Sequence, residues 1–288
     1  MNTNERLLVT GASGHLGQLV VEALLQVGQT NLIATTRQPE KLTHFASRGV
    51  KVRAADFNQP ESLVSAFAGA TRLLLISTMD VGSRIPQHKT AIAAAQEVGV
   101  QHIIYTSAPN PDHSPSLVAP DHAATEQLIR ESGLTYTFLR NNLYAENLFY
   151  TLPTALKAGV LLGCAGDGKT AYVHRSDCAA AAAGALLQAE KFANVALDIS
   201  GPIAYTHSEL AELVAKVTGK NFVYRDVSPE ELQSALVEGG LPDPFAQLFV
   251  GFDRAMQQGD LAAVTDAVQQ LSGHSPQDIT ELLRGGLH

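Results

Sequence analysis

Val9-Thr10-Gly11-Ala12-Ser13-Gly14-His15-Leu16-Gly17, directly after the apolar pair Leu7-Leu8, decides the fold. A glycine-rich turn between a strand and a helix is what the pyrophosphate of a dinucleotide needs. Gly11 permits the tight turn, Gly14 lets the backbone approach the phosphates, and Gly17 lets the helix pack close to the strand. The helix, from Leu16 to about Val27, offers its unpaired N–H groups and positive dipole end to the anion. Gly11, Ala12, Ser13, Gly14, His15, Leu16 and Gly17 are therefore the expected pyrophosphate cradle. The other reading of the same residues is a plain glycine-rich turn.

Working outward, strand-like apolar runs alternate with helical patterns. The strands expected are Leu7–Val9, Asn31–Thr36, Val50–Ala54, Arg72–Ile76, His102–Thr106 and Thr135–Leu139. The helices expected between them are Leu16–Val27, Pro39–Arg48, Glu61–Phe67, Pro86–Val98 and Asp121–Glu131. This alternation predicts an α/β fold: a Rossmann-type, doubly wound parallel sheet with helices on both faces. Gly49, Gly69, Gly99 and Gly133 each fall just past a helix, where a terminating glycine is favoured.

Beyond Asn141 the pattern changes. A helix is expected from Tyr144 towards Ala158, a tight turn at Gly166-Asp167-Gly168, a helix after Ser176-Asp177 and a strand at Val195–Ile199. Thr206-His207-Ser208-Glu209 and Ser228-Pro229-Glu230-Glu231 read as capping boxes that start helices, and one more strand is expected near Phe222–Val227. The chain therefore divides into a nucleotide-binding domain over 1–150, rejoined by 174–200, and a smaller, mostly helical substrate or lid domain over 151–288.

A chain of 288 residues with 45% hydrophobic and 17% charged residues buries a proper core. Its net charge of -8, without a run of Lys or Arg, argues against nucleic acid and against anionic membranes as partners. Two cysteines, Cys164 and Cys178, without metal-ligand spacing, point to no metal, no disulfide framework and a reducing, cytoplasmic setting. No signal peptide is expected ahead of the first strand. The Ala-rich run Cys178 to Leu187 is too short to span a bilayer.

The cofactor is legible from the strand ends. Where an NAD site places an acid, this chain has Thr35-Thr36-Arg37. Arg37, with nearby Lys41, suits a 2′-phosphate, so NADP(H) is the expected cofactor; a solvated surface arginine is the alternative. Asp56 and Phe57 fit a place beside the adenine. Ile76, Ser77 and Thr78 fit the ribose and pyrophosphate side. Ordinary short-chain dehydrogenases protonate the product with a Tyr-x-x-x-Lys helix, in which Lys lowers the Tyr pKa. Here that spacing holds His122 and Glu126, and Glu acts in the opposite sense. Ser107, in the place of the usual serine, lacks its partners. An electron-poor acceptor, a quinone or a cationic dye, needs only to be positioned for hydride transfer.

The segments Val9–Gly17, Ala55-Asp56-Phe57, Leu75-Ile76-Ser77, Tyr105-Thr106-Ser107 and Tyr136–Asn147 resemble the NmrA-like atypical short-chain dehydrogenase/reductases. Within them, the likeness is to the bacterial NADPH:quinone oxidoreductase type 2 and triphenylmethane reductase group. It covers nearly the whole chain, including Gly239–Phe245. The Glu146-Asn147 pair and the turn Ala165–Lys169 look like the quinone reductases, and the lid segment looks more like the dye reductase.

The resemblance implies NADPH along Gly11–Gly17, Arg37, Ile76–Thr78, Tyr105, Thr106, Asn141, Tyr144, Glu146 and Asn147, with an acceptor near Tyr105, Tyr144 and Asn147. Asn147 and Tyr105 are the expected catalytic pair. Each has a structural alternative: Asn147 as a helix stitch, Tyr105 and Tyr144 as core aromatics. Gln87 and Arg175 either reach the cofactor or lie on the surface. The expected function is NADPH-dependent reduction of quinone-like small molecules. The alternative is an NADP(H)-binding redox sensor without turnover. A homodimer is compatible with the sequence.

Overall fold

The computed structural model describes residues 5–78 and 82–287. Nine strands are described: β1 (Leu7–Val9), β2 (Leu32–Thr36), β3 (Lys51–Ala54), β4 (Arg72–Leu75), β5 (His102–Ser107), β6 (Thr135–Asn141), β7 (Val160–Gly163), β8 (Val195–Ile199) and β9 (Val223–Asp226). The helices are α1 (His15–Gln26), α2 (Thr43–Ala46), α3 (Pro60–Phe67), α4 (Arg84–Glu97), α5 (Ala119–Glu131), α6 (Leu152–Ala158), α7 (Arg175–Leu187), α8 (His207–Thr218), α9 (Pro229–Glu238), α10 (Asp243–Gln257), α11 (Ala267–Ser272) and α12 (Ile279–Gly286).

Seven strands form one parallel sheet in the order β3-β2-β1-β4-β5-β6-β8. This is the doubly wound arrangement, with the strand order reversing next to β1, where such sheets bind ligands. Its inner strands are covered on both faces, which is why they read as continuous apolar runs. Strand periodicity divides their side chains between two cores. Val9, Leu74, Ile104 and Leu139 pack with α1 and the alanines of α7. Leu8, Leu73, Leu75, Ile103, Tyr105 and Phe138 face the other way, against α3, α4 and Ile129 of α5.

Strand β8 lies at the edge of this sheet, and helix α7 packs against its face. Helix α11 returns as well. Ala267, Val268 and Leu271 enter the α1–α7 core, and Gly184 meets Leu271 so closely that a Cβ there would lie 1.9 Å from its carbonyl oxygen. A boundary at 151–288 does not contain that return. The remaining chain builds a second layer around the parallel pair β7–β9, helices α8, α9, α10 and α12, and a core that includes Leu161, Tyr172, Leu210 and Leu283.

Both capping boxes form: Thr206 with Glu209, and Ser228 with Glu231. The glycines at 49, 69, 99 and 133 all adopt positive φ. Two helices differ from expectation. Pro39–Arg48 is a 3-10 turn over Pro39–Leu42 followed by the single turn α2. The segment after Tyr144 is a 3-10 helix over Ala145–Tyr150, and α6 begins separately at Leu152. Pro153 explains the break, because proline suits a first turn and cannot donate within a continuing helix. Strand β7 was not expected; it is short, and its partner β9 lies far along the chain.

Candidate functional site: a nucleotide groove and an apolar cavity

The glycine loop is fastened to both neighbouring strands. Thr10 Oγ1 donates to the Leu74 carbonyl at 3.0 Å and accepts from Ile76 N at 3.0 Å, locking the end of β4 to β1. Ala12 N donates to Thr35 O at 3.0 Å, and Ser13 Oγ meets Thr36 Oγ1 at 2.7 Å, locking the end of β2. Gly11 holds φ +57°, and a Cβ on Gly17 would lie 2.4 Å from Gly11 O. Any side chain at Gly17 would push α1 off the loop. Helix α1 starts at His15 with no side-chain cap and no acid in its first turn. An uncapped, rigidly held helix start without an acid suits an anion. Leu16 is buried beneath it, and His15 is exposed.

Arg37 stands exposed just beyond β2, where it makes no hydrogen bond or ion pair with the described residues. Asp56 closes the end of β3 by accepting from Asn58 N at 3.0 Å, with Phe57 half-buried beside it. Gln87 is buried on α4 and donates to Asn58 Oδ1 at 3.0 Å, bringing α4 to the same corner. Thr106 Oγ1 accepts from Ser77 N at 2.9 Å, so its hydroxyl ties the ends of β4 and β5. Two buried side-chain oxygens at these strand ends are unsatisfied: Thr78 Oγ1 and Asn141 Oδ1. Buried oxygens without partners are costly unless a ligand completes them, so these two fit a dinucleotide groove.

Around the end of β6, Asn141 Nδ2 donates to Tyr144 Oη at 3.1 Å. The Arg175 guanidinium lies 4.9 Å over the Tyr144 ring and donates to Asn147 Oδ1 at 3.2 Å. Arg175 is thus no bystander on the surface; it clamps both residues. Burial pushes the Tyr144 phenol well above its ordinary range. Glu146 has a structural partner in this corner. Both of its carboxylate oxygens accept from Arg175 N, at 3.0 and 3.1 Å. Glu146 caps α7 from a distance, a structural task.

The expectation for Tyr105 needs correction. Its side chain is 0% exposed, in the α3–α4–α5 core, with its hydroxyl 2.8 Å from His122 Nδ1. It cannot touch an acceptor, and the core-aromatic alternative holds. Burial, then the Arg84 cation, lowers His122 to about 3, and burial raises the Tyr105 phenol. Both are therefore held in their neutral forms at neutral pH, hydrogen-bonded to each other. Ser107 donates to Glu126 at 2.7 Å, and Glu126, 1% exposed, also accepts from Arg130 at 2.8 Å and Arg140 at 2.9 and 2.8 Å. The positions of the usual Ser, Tyr and Lys are therefore each occupied by a side chain already paired inside the fold.

Asn147 also lines a cavity of about 290 Å³ in the second layer. Its walls are mainly apolar, with Leu161 from β7, Leu236 from α9, and Phe249 and Phe252 from α10. Two polar residues that sequence reading missed face it: His207, the first residue of α8, and Asp253 on α10. In the sequence His207 reads only as part of a capping box, and Asp253 sits in an amphipathic helix; 46 positions separate them. Among the described residues, no group of three or more His, Cys, Asp or Glu side chains is arranged to hold a metal, and no helix is long and apolar enough to cross a membrane.

The model of the NmrA-like family matches residues 3–284, and the chain belongs to that family. It is 38% identical to quinone oxidoreductase 2 of Escherichia coli K12 over 276 residues, 96% of each chain. The crystal structure of the Escherichia coli NADPH-dependent quinone oxidoreductase complexed with NADPH superposes with a TM-score of 0.93 at 37% identity, covering 97% of this chain and 99% of that one. The Citrobacter sp. triphenylmethane reductase complexed with NADP(H) gives 0.90 at 37% identity, over 98% and 100%.

Proposed function

We propose that this protein is an NADPH-dependent oxidoreductase that transfers hydride to quinones and related electron-poor aromatic acceptors. One observation carries the reading. The residues that would make a carbonyl reductase are spent on each other, while an apolar cavity opens beside Asn147. A small-molecule acceptor whose reduced form is a stabilised anion, or neutral, matches that chemistry. The likeness to the quinone and dye reductases supports it, and an open cavity speaks against a sensor whose pocket is filled.

Bound NADPH supplies the hydride. In this reading Gly11–Gly17 and the start of α1 hold its pyrophosphate, Arg37 its 2′-phosphate, Asp56, Phe57 and Gln87 the adenine side, and Ile76–Thr78 the ribose side. Asn141 Oδ1 accepts from the carboxamide, and Tyr144, pinned under Arg175, forms the wall beside it. Asn147, held by Arg175, orients the reacting pair from the cavity side, where the apolar walls exclude water. The test is the loss of NADPH absorbance with a panel of benzoquinones, naphthoquinones and cationic triphenylmethane dyes, against aliphatic ketones. Turnover of quinones or dyes and none of ketones is expected. Efficient reduction of an unactivated ketone overturns the reading.

A further inference from the structure

His207 Nε2 lies 2.9 Å from Asp253 Oδ1, and Asp253 Oδ2 accepts from Cys164 N at 2.7 Å. The carboxylate is thus fixed at both oxygens, and it fixes the imidazole with Nε2–H pointing at it. The pair sits against bare backbone: a Cβ on Gly163 would lie 2.7 Å from His207 Cδ2 and 2.8 Å from Asp253 Oδ2. The Tyr224 ring packs 5.3 Å from the imidazole. His207 is 7% exposed, lines the cavity, and its Nδ1 is buried without a hydrogen-bond partner. A carboxylate that orients one ring nitrogen and leaves the other unspent is the arrangement of a proton-transfer histidine.

We propose that His207, oriented by Asp253, is the hydrogen-bond partner and proton donor for an oxygen of the acceptor, so that the cavity takes flat, one- or two-ring aromatics carrying a carbonyl that becomes a hydroxyl. This inference rests on the function proposed above. The electron pair arrives on the quinone with the hydride from the reduced nicotinamide, which is oxidised. The quinone carbonyl becomes a phenolate oxygen. The Nδ1–H bond of the imidazolium then breaks as the O–H bond of the hydroquinone forms. Asp253 keeps the neutral imidazole in place until solvent returns the proton. A cationic dye differs, because hydride makes it neutral with no proton required.

Two measurements test this, one without cofactor. Binding of 2-naphthol, which mimics the product hydroxyl, is compared with naphthalene on the cofactor-free protein, for the unaltered chain, His207→Leu and His207→Gln. We expect 2-naphthol to weaken about five- to tenfold in His207→Leu while naphthalene is unchanged, the scale of one hydrogen bond. His207→Gln, able to keep a polar contact, restores part of the loss. With NADPH, the ratio of quinone kcat to cationic-dye kcat should fall at least tenfold in both variants, and in Asp253→Asn, which tests the positioning role without reshaping the pocket.

Equal loss of both aromatics, loss of neither, or an unchanged quinone-to-dye ratio overturns the proposal. A folding defect cannot imitate the result, since it would move both probes together. If the unaltered chain reduces neither quinones nor dyes, the proposed function fails, and the contrast between 2-naphthol and naphthalene still decides whether His207 anchors an oxygen. If quinones are reduced and that contrast is absent, the function stands and His207 is removed from it.

Discussion

Two polar regions of this molecule are built on opposite rules. Around α5, Tyr105 has His122, Ser107 has Glu126, and Glu126 has Arg130 and Arg140. At the sheet end Thr78 Oγ1 and Asn141 Oδ1 are buried without a hydrogen-bond partner, as is His207 Nδ1 in the second layer. Burial alone therefore does not mark a working residue. Paired polar groups in a low-dielectric interior stabilise the fold they sit in, and unpaired ones are costly until water, an ion or a ligand completes them. The first region occupies the place where relatives with a Tyr-x-x-x-Lys helix do chemistry, and here it has become scaffold.

Glu126→Ala gives the largest expected effect. Removing the carboxylate leaves Ser107 and two arginines without it, and we expect a loss of about 2–4 kcal/mol in urea unfolding. This is below the full cost of breaking a buried pair, because Arg130 and Arg140 reach water. Turnover per folded molecule should hold. A catalytic loss with unchanged stability would reverse the contrast between the two regions.

Arg37→Ala should weaken NADPH by about 1.5–3 kcal/mol, the range of a charge-assisted hydrogen bond, with NADH barely affected. Equal losses for the two nucleotides, read by calorimetry, would return Arg37 to the surface.

The paired region also has a signature in acid. Burial lowers His88 and His122 to about 3 and His102 to about 4. Between those values and the ordinary 6.5, the unfolded chain binds the extra protons, so stability is full above pH 6.5 and falls as pH drops. Each histidine contributes a slope of about 1.4 kcal/mol per pH unit in that window. His102→Asn should flatten the fall between pH 6 and 5 by about one such increment; an unchanged slope would mean that His102 titrates normally.

Asn147→Ala should lower kcat about tenfold by freeing Arg175 and loosening the pair it orients. A lower melting temperature with unchanged kcat would make Asn147 a stitch. Tyr105→Phe should have the smallest effect: stability falls by about 1 kcal/mol for one hydrogen bond, and turnover does not change. A kcat defect here would reopen the role that its burial denies.

The sheet was legible because its strands are continuous apolar runs and its helices carry their own stops. The glycine loop and both capping boxes were legible because each is a contiguous motif with local chemistry. Tyr105 was misread for a related reason. In Ile103-Ile104-Tyr105 every residue is apolar enough for either face, so the sequence holds no cue to which side the ring takes. The contact of Glu146 with the start of α7 was not legible because its partner lies 29 positions away. His207 and Asp253 were invisible for the same cause: one lies inside a capping box, the other on an amphipathic helix, and only the tertiary fold makes them neighbours.

The contact between Gly184 and Leu271 has a consequence for how the chain assembles during synthesis. Domains generally fold as units as they emerge. Here the nucleotide half lacks a piece of its own core until the α11 segment has been made, some seventy residues after the last strand of its sheet. A ribosome that stalls within the second layer releases a half-barn with one wall open: α7 would show its alanine face to solvent. The two halves are committed to arriving together, and a fragment ending near Gly201 is expected to aggregate where the whole chain does not.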